Sequence, residues 1–337
     1  MQVNPTCKDL LIEAMKYHLL PTQRRKEFES PRCQPRKRTG PPKVLLVVGG
    51  QAPKAIRNVE LYDLNGSGSH QVGELAQRRC RCGVTMYKDY LFIVGGFDGT
   101  TRIKSIERLH IPTSRLETLT SMSSRRSTLG VALMNGYIYA VGGFDGTNGL
   151  ETVERFHIES GKWSLIEPMT TRRSSVGIAV LRGYLYAVGG YDGHARQCLN
   201  TVERYDSASD SWTLVASMEC KRSGASVAVL DDMLYVIGGH DGPDIRSSVE
   251  CYDPVRDCWL TTTPMHTCRR NAAATVVHGF LYVVGGDDGT TSLDTIEMYD
   301  SFLRQWKVCD ELLKQGRSYA GLAVVDKPTD TASPIFI

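Results

Sequence analysis

The chain has 337 residues, 41% of them apolar and 23% charged, with a formal net charge of +3. No run of 18 apolar residues occurs, so no membrane-spanning helix is expected, and the N-terminus MQVNPTCKDL lacks the apolar stretch of a secretory signal. Residues 21–43 carry +6 (Arg24, Arg25, Lys26, Arg32, Arg36, Lys37, Arg38 and Lys43 against Glu27 and Glu29) and residues 1–20 balance; the rest is therefore net −3, unlike a uniformly basic nucleic-acid-binding body.

A helix comes first. TCKDLLIEAMKYHLL, residues 6–20, opens with Thr6 and Asp9 as a capping box and is stopped by Pro21. Its apolar face holds Leu11, Met15 and Leu19, and one helix cannot bury that face alone. Residues 1–22 are read as this helical piece and 23–43 as a basic linker. Arg36-Lys37-Arg38 reads first as a solvated linker and second as a localisation signal.

Repetition dominates from residue 44. A Gly-Gly pair ends an apolar run six times: Gly49-Gly50, Gly95-Gly96, Gly142-Gly143, Gly189-Gly190, Gly238-Gly239 and Gly285-Gly286. The preceding runs VLLVV, YLFIV, YIYAV, YLYAV, MLYVI and FLYVV are strand-like and too short for helices. Five pairs lead into an Asp-Gly turn such as Phe97-Asp98-Gly99. A glutamate follows each pair: Glu60, Glu107, Glu154, Glu203, Glu250 and Glu297. Nine residues later four units carry Trp163, Trp212, Trp259 and Trp306, where the first two have Ser69 and Leu116; looser outer strands are expected there. Glycine pairs, glutamates and tryptophans are assigned to structure.

Four short strands per unit, repeated six times, predict an all-β, six-bladed β-propeller over residues 44–326. The strand missing before Val44 is supplied by Arg317-Ser-Tyr-Ala-Gly-Leu-Ala-Val-Val, so residues 317–326 are expected to close blade one, leaving 327–337 as a tail. Ten cysteines form no CxxC, and the eight histidines show no ligand spacing or nucleophile elbow. A non-catalytic interaction module is expected, with no metal or cofactor, its free thiols suiting the cytoplasm.

In antiparallel blades, the loops after the second and fourth strands emerge at one end of the disc. An arginine stands 16 residues before each later Gly-Gly: Arg79, Arg126, Arg173, Arg222 and Arg269, with Arg317 matching them at the end. These loops also hold Arg81, Arg102 and Arg270, off that register, and a variable position occupied by Gln51, Phe97, Phe144, Tyr191, His240 and Asp287. Arginine beside aromatics is interface chemistry, and forked guanidinium groups suit carboxylates, so an acidic peptide is the expected ligand. The register arginines suit bracing between blades equally well, and the sequence leaves both roles open. Ser174 and Ser175, after Arg172-Arg173, are candidate phosphorylation sites whose phosphates would neutralise the rim.

The double glycine, the spaced tryptophan and the blade period resemble the kelch-repeat family. The segments GGQAPKAIRNVE, RRSTLG, RRSSVG, GGYDGHARQCL, GGHDGP, CRRNA, GGDDGT and GRSYAG resemble the kelch-like adaptors of BTB-BACK-kelch architecture, in the subfamily of insect kelch and the vertebrate kelch-like proteins two and three. The opening helix resembles the last helix of a BACK domain. The resemblance implies a substrate-recognition propeller of a Cullin-3 ubiquitin ligase that binds an acidic segment of with-no-lysine kinases through Arg81, Arg102, Phe144, Tyr191, His240 and Arg270. Some members bind actin, the second partner implied, which would associate the protein with the cytoskeleton. Cullin-3 is recruited by a BTB domain that this sequence does not include, so the chain as written is expected to bind substrate without delivering ubiquitin, as a fragment of a full adaptor.

Overall fold

The computed structural model describes residues 5–19, 41–64, 66 and 68–327, which belong to two compact units, residues 1–41 and 42–337. The first holds one helix, Pro5–Leu19, on which Leu11, Met15 and Leu19 are exposed. It begins one residue earlier than expected, and a proline fits the first helical turn because its missing N–H has no partner to lose. Pro21, the linker before residue 41 and the tail after residue 327 lie outside the described residues, as does the Thr6 side chain on which the expected cap rests.

The second unit is a wheel of six four-stranded antiparallel blades, with strands A to D running outward from the axis. Blade 1 is made of Gly321–Asp326, Lys43–Val48, Asn58–Asp63 and Gly68–Glu74. Blade 2 is Gly83–Tyr87, Tyr90–Val94, Ile106–His110 and Arg115–Thr118; blade 3 is Gly130–Met134, Tyr137–Val141, Val153–His157 and Lys162–Ile166. Blade 4 is Gly177–Leu181, Tyr184–Val188, Val202–Asp206 and Ser211–Val215; blade 5 is Ser226–Leu230, Met233–Ile237, Val249–Asp253 and Cys258–Thr262. Blade 6 is Ala273–Val277, Phe280–Val284, Ile296–Asp300 and Gln305–Val308. Strand A of each blade packs against strand A of the next, all the way around the axis. The C-terminal strand closes blade 1 as the sequence predicts, pairing Gly321 with Val48 and Asp326 with Lys43.

Local chemistry explains the blades. The A–B hairpins turn through pairs such as Asn135-Gly136 (φ 52° and 78°) and His278-Gly279 (53° and 81°), the turn geometry that matches strand twist. Strand B is the most buried, with Leu185, Ala187 and Val188 at most 2% exposed. The double glycine seats the crossing chain: Gly143 N–H donates to the Arg173 carbonyl at 2.8 Å, and a Cβ on Gly142 would lie 2.4 Å from that same oxygen.

Each tryptophan staples its blade to the one before. The indole N–H of Trp163 donates to Thr120 O (2.8 Å), that of Trp212 to Glu167 O (2.9 Å), that of Trp259 to Ala216 O (2.7 Å) and that of Trp306 to Thr263 O (2.9 Å). Each indole also packs on the strand-C aromatic of its own blade, as Trp212 does on Tyr205 with centroids 5.1 Å apart. Where tryptophan is missing the outer strands are irregular. Blade 1 has a bulge at Val59/Glu60, and Ser69 donates to Glu60; blade 2 enters strand D through a single 3-10 turn, Ile111–Thr113.

Candidate functional site

The D–A and B–C loops meet at one end of the wheel and build it in layers. The deepest layer is the register arginines, and the structure places them inside the protein. Arg126 is typical. Its backbone belongs to the preceding blade, with N–H to Ile103 O (3.1 Å) and its carbonyl accepting from Gly96 N (2.8 Å). Its side chain enters the next blade, where Nη1 donates to Gly142 O and Thr152 O (both 2.8 Å) and Nη2 to Thr152 Oγ1 and Glu154 Oε1 (both 2.9 Å). Arg173, Arg222 and Arg269 repeat this pattern with Glu203, Glu250 and Glu297. Arg79 and Arg317 pair with Glu107 and Glu60.

All six arginines are at most 2% exposed. Burial pushes the Arg126, Arg173, Arg269 and Arg317 guanidinium groups below their ordinary pKa, against the pull of their glutamates. The expectation that Arg79, Arg126, Arg173, Arg222 and Arg317 contact a ligand is therefore corrected: they are buried, their Nη groups donate to backbone carbonyls and a buried carboxylate, and they brace adjacent blades. The glutamates are the other half of the brace.

Around the axis lies a ring of Arg81, Thr128, Ser175, Gly224, Asn271 and Tyr319, two residues beyond each register arginine and all at positive φ, 49° to 62°. Their backbones form a closed cycle. Thr128 N–H donates to Arg81 O (2.9 Å), Ser175 to Thr128 (2.9 Å), Gly224 to Ser175 (3.0 Å), Asn271 to Gly224 (2.7 Å), Tyr319 to Asn271 (2.8 Å) and Arg81 to Tyr319 (3.0 Å). These residues line a cavity of about 130 Å³ at the channel mouth.

Outside the cycle, the variable position of each B–C loop forms a two-residue bridge with the D–A loop: Phe97 with Cys80, Phe144 with Ser127, Tyr191 with Ser174, His240 with Ser223, Asp287 with Arg270 and Gln51 with Ser318. The bridge uses backbone only, so the side chain is free to vary while its place on the face is fixed. All six variable residues are half-buried on this face.

The off-register arginines join these side chains. The Arg81 guanidinium lies 4.6 Å from the Tyr319 ring centroid and 6.0 Å from that of Phe97, and its Nη2 donates to Gln51 Oε1 at 3.2 Å. Arg102 lies between Phe97 (5.2 Å) and Phe144 (5.0 Å). Tyr319, Arg81, Phe97, Arg102 and Phe144 thus form one alternating run of rings and cations. Among the described residues neither cation meets a carboxylate, and the Nε of each is buried without a partner. Arg270 differs, its Nε donating to Asp287 Oδ1 at 3.1 Å. Burial, and after it Arg270, push the nearby His240 imidazole below its ordinary pKa.

The aspartates of the Asp-Gly turns are engaged by their own loops. Asp98 accepts from Thr100 N and Thr101 N (both 2.7 Å), and Asp145 from Thr147 N (2.6 Å) and Asn148 N (2.7 Å). Hydrogen bonds from Thr291 and Thr290 hold the Asp288 carboxyl down at about 2. Sequence reasoning missed Tyr319, which was visible as the register partner of Arg81, and the pairing of Arg270 with Asp287, which follows from the 17-residue offset shared by five of the six bridges.

The model described as Kelch motif matches residues 78–123, 125–170, 172–219, 221–266 and 268–312. Kelch-like protein 3 of Homo sapiens is 54% identical over 99 residues, 29% of this chain and 17% of that protein. The Danio rerio protein of the same name is 54% identical over 97 residues, and Kelch-like protein 2 of Rattus norvegicus 55% over 96. These matches span about a sixth of the relatives' own length. With five motif matches laid blade by blade over a closed six-bladed wheel, the chain belongs to the kelch-repeat family.

Proposed function

We propose that this propeller recognises substrate for a Cullin-3 ubiquitin-ligase adaptor by holding an acidic peptide degron on its channel-mouth face. Kelch propellers are in general non-catalytic protein-interaction modules, and one observation carries the finer reading: two guanidinium groups, Arg81 and Arg102, are stacked on aromatic rings and meet no carboxylate among the described residues. Stacking orients a guanidinium while leaving its donor edge for an incoming anion, and planar carboxylates match that edge. Phe144, Tyr191 and His240 supply apolar and hydrogen-bonding surface around the charges, with Arg270 completing the basic set. Cullin-3 is engaged by a BTB domain in this reading, and Pro5–Leu19 is the end of a BACK-like domain. The setting is the cytoplasm.

Ser174 and Ser175 sit beside this face, Ser174 donating to Tyr191 O at 3.2 Å and Ser175 in the backbone cycle. Phosphate there would add negative charge and weaken an acidic ligand.

Fluorescence polarisation with an acidic segment of a with-no-lysine kinase tests the proposal. Micromolar or tighter binding, weakened by salt and lost in Arg81→Glu and Arg270→Glu, supports it. A folded wild type that does not bind rejects this ligand and makes actin co-sedimentation the next assay.

A further inference from the structure

The variable position of the face is occupied by Gln51, Phe97, Phe144, Tyr191, His240 and Asp287, one per blade and all in the same backbone bridge. Gln, Phe, Tyr and His form that bridge as well as Asp does, so the scaffold does not require a carboxylate there. Asp287 makes two side-chain bonds. It accepts from Gly289 N at 2.8 Å, which an asparagine oxygen could also do, and from Arg270 Nε at 3.1 Å. The ion pair is half-exposed, at 32% for Arg270 and 27% for Asp287. It therefore stands on the face presented to a ligand, unlike the pairs inside the blades.

Among the described residues, Arg270 is the one of the three off-register arginines that meets a carboxylate; Arg81 and Arg102 have aromatic partners instead. The guanidinium of Arg270 keeps a second donor edge, formed by its two Nη groups, that the Nε bond to Asp287 does not use. A ligand carboxylate binding there would lie close to the charge of Asp287.

We propose that Asp287 is an internal competitor of the ligand, holding Arg270 in the free protein and lowering the affinity of the face for anions. This rests on the acidic-peptide reading above and adds a selectivity rule to it. A segment with one carboxylate gains little from Arg270, because Asp287 opposes it. A segment with several carboxylates also reaches Arg81 and Arg102, which carry no such opposition, and is retained. Rejection of weakly acidic segments is built in by a repulsive element.

The test uses the full chain and a fluorescein-labelled twelve-residue peptide of alternating alanine and glutamate, beside its twin with glutamine for glutamate. A carboxylate about 6 Å from Asp287, in a solvated setting of effective dielectric about 40 to 80, is disfavoured by about three- to tenfold. Asp287→Asn is accordingly expected to bind the glutamate peptide about three to ten times more tightly, to show no gain for the glutamine twin, and to lose the gain when combined with Arg270→Gln. Asp287→Gln, which copies Gln51 of blade 1, repeats the measurement should the asparagine variant fold poorly. Unchanged or weaker binding in both variants, with the wild type binding normally, overturns the proposal and makes Asp287 a support that positions Arg270. A wild type and variants that all fail to bind overturn the acidic-ligand reading itself.

Discussion

The interior of the wheel and its face use the same residue type for opposite ends, and Arg269 and Arg270 show it side by side. The Arg269 guanidinium is 1% exposed, with Nη1 on Gly285 O (2.8 Å) and Thr295 O (2.9 Å) and Nη2 on Thr295 Oγ1 (2.7 Å) and Glu297 (3.0 Å). The next side chain points to the channel-mouth face, with one hydrogen bond to Asp287. A buried ion pair holds structure together because breaking it strands a charge; a face arginine is available for chemistry because it does not. Position in the repeat, rather than residue type, separates the two.

The largest way to break this division is to open the ring. Truncation after Gln315 removes Arg317, Tyr319 and strand Gly321–Asp326, taking with it one brace, two bonds of the axial cycle and the inner edge of blade 1. Cooperative thermal unfolding is expected to vanish, and a truncated chain that melts as the wild type does would refute closure.

The neighbouring arginines sharpen the comparison directly. Arg269→Ala leaves Glu297 buried without its main partner and is expected to cost about 3–5 kcal/mol in urea unfolding. Arg270→Gln is expected to change stability by about 0.5 kcal/mol or less and to weaken acidic-peptide binding at least tenfold. Equal stability losses in the two variants would erase the distinction.

Smaller effects follow from the staples and turns. Trp306→Phe keeps a ring against Tyr299 and loses the bond to Thr263 O, for an expected loss of about 1–2 kcal/mol by denaturant titration. Asp288, held down at about 2 from an ordinary 3.8, contributes stability fully above the ordinary value. That contribution is lost as pH falls through the folded value, so Asp288→Asn is expected to flatten stability between about pH 4 and pH 2. A pH series of urea melts with identical slopes for both proteins would show that these turn bonds do not matter.

Much of this molecule was legible in its sequence because repetition multiplies weak local signals. One Gly-Gly after an apolar run says little; six at regular spacing, with an arginine-led strand at the far end, fix six blades and their closure. The division among the arginines was harder to read. A basic residue in every blade looks like a basic rim until it is matched with the glutamates. Arg126 meets Glu154 and Arg269 meets Glu297, each 28 residues on, so the repeating charges cancel one for one inside the blades. What remains for the face is the set outside that pairing: Arg81, Arg102 and Arg270. Phe97 and Arg102 share one loop and Arg270 meets Asp287 at the bridge offset, but the contacts of Arg81 with Tyr319 and Gln51 and of Arg102 with Phe144 join loops of different blades, which local spacing does not show.

The most direct measurement is a crystal structure of the full chain with the acidic peptide bound. The account predicts peptide carboxylates on the donor edges of Arg81 and Arg102 at the channel mouth, with Arg79, Arg126 and the other register arginines unmoved in their blades. A peptide seated on the opposite face of the wheel, or on its outer strands, would contradict it.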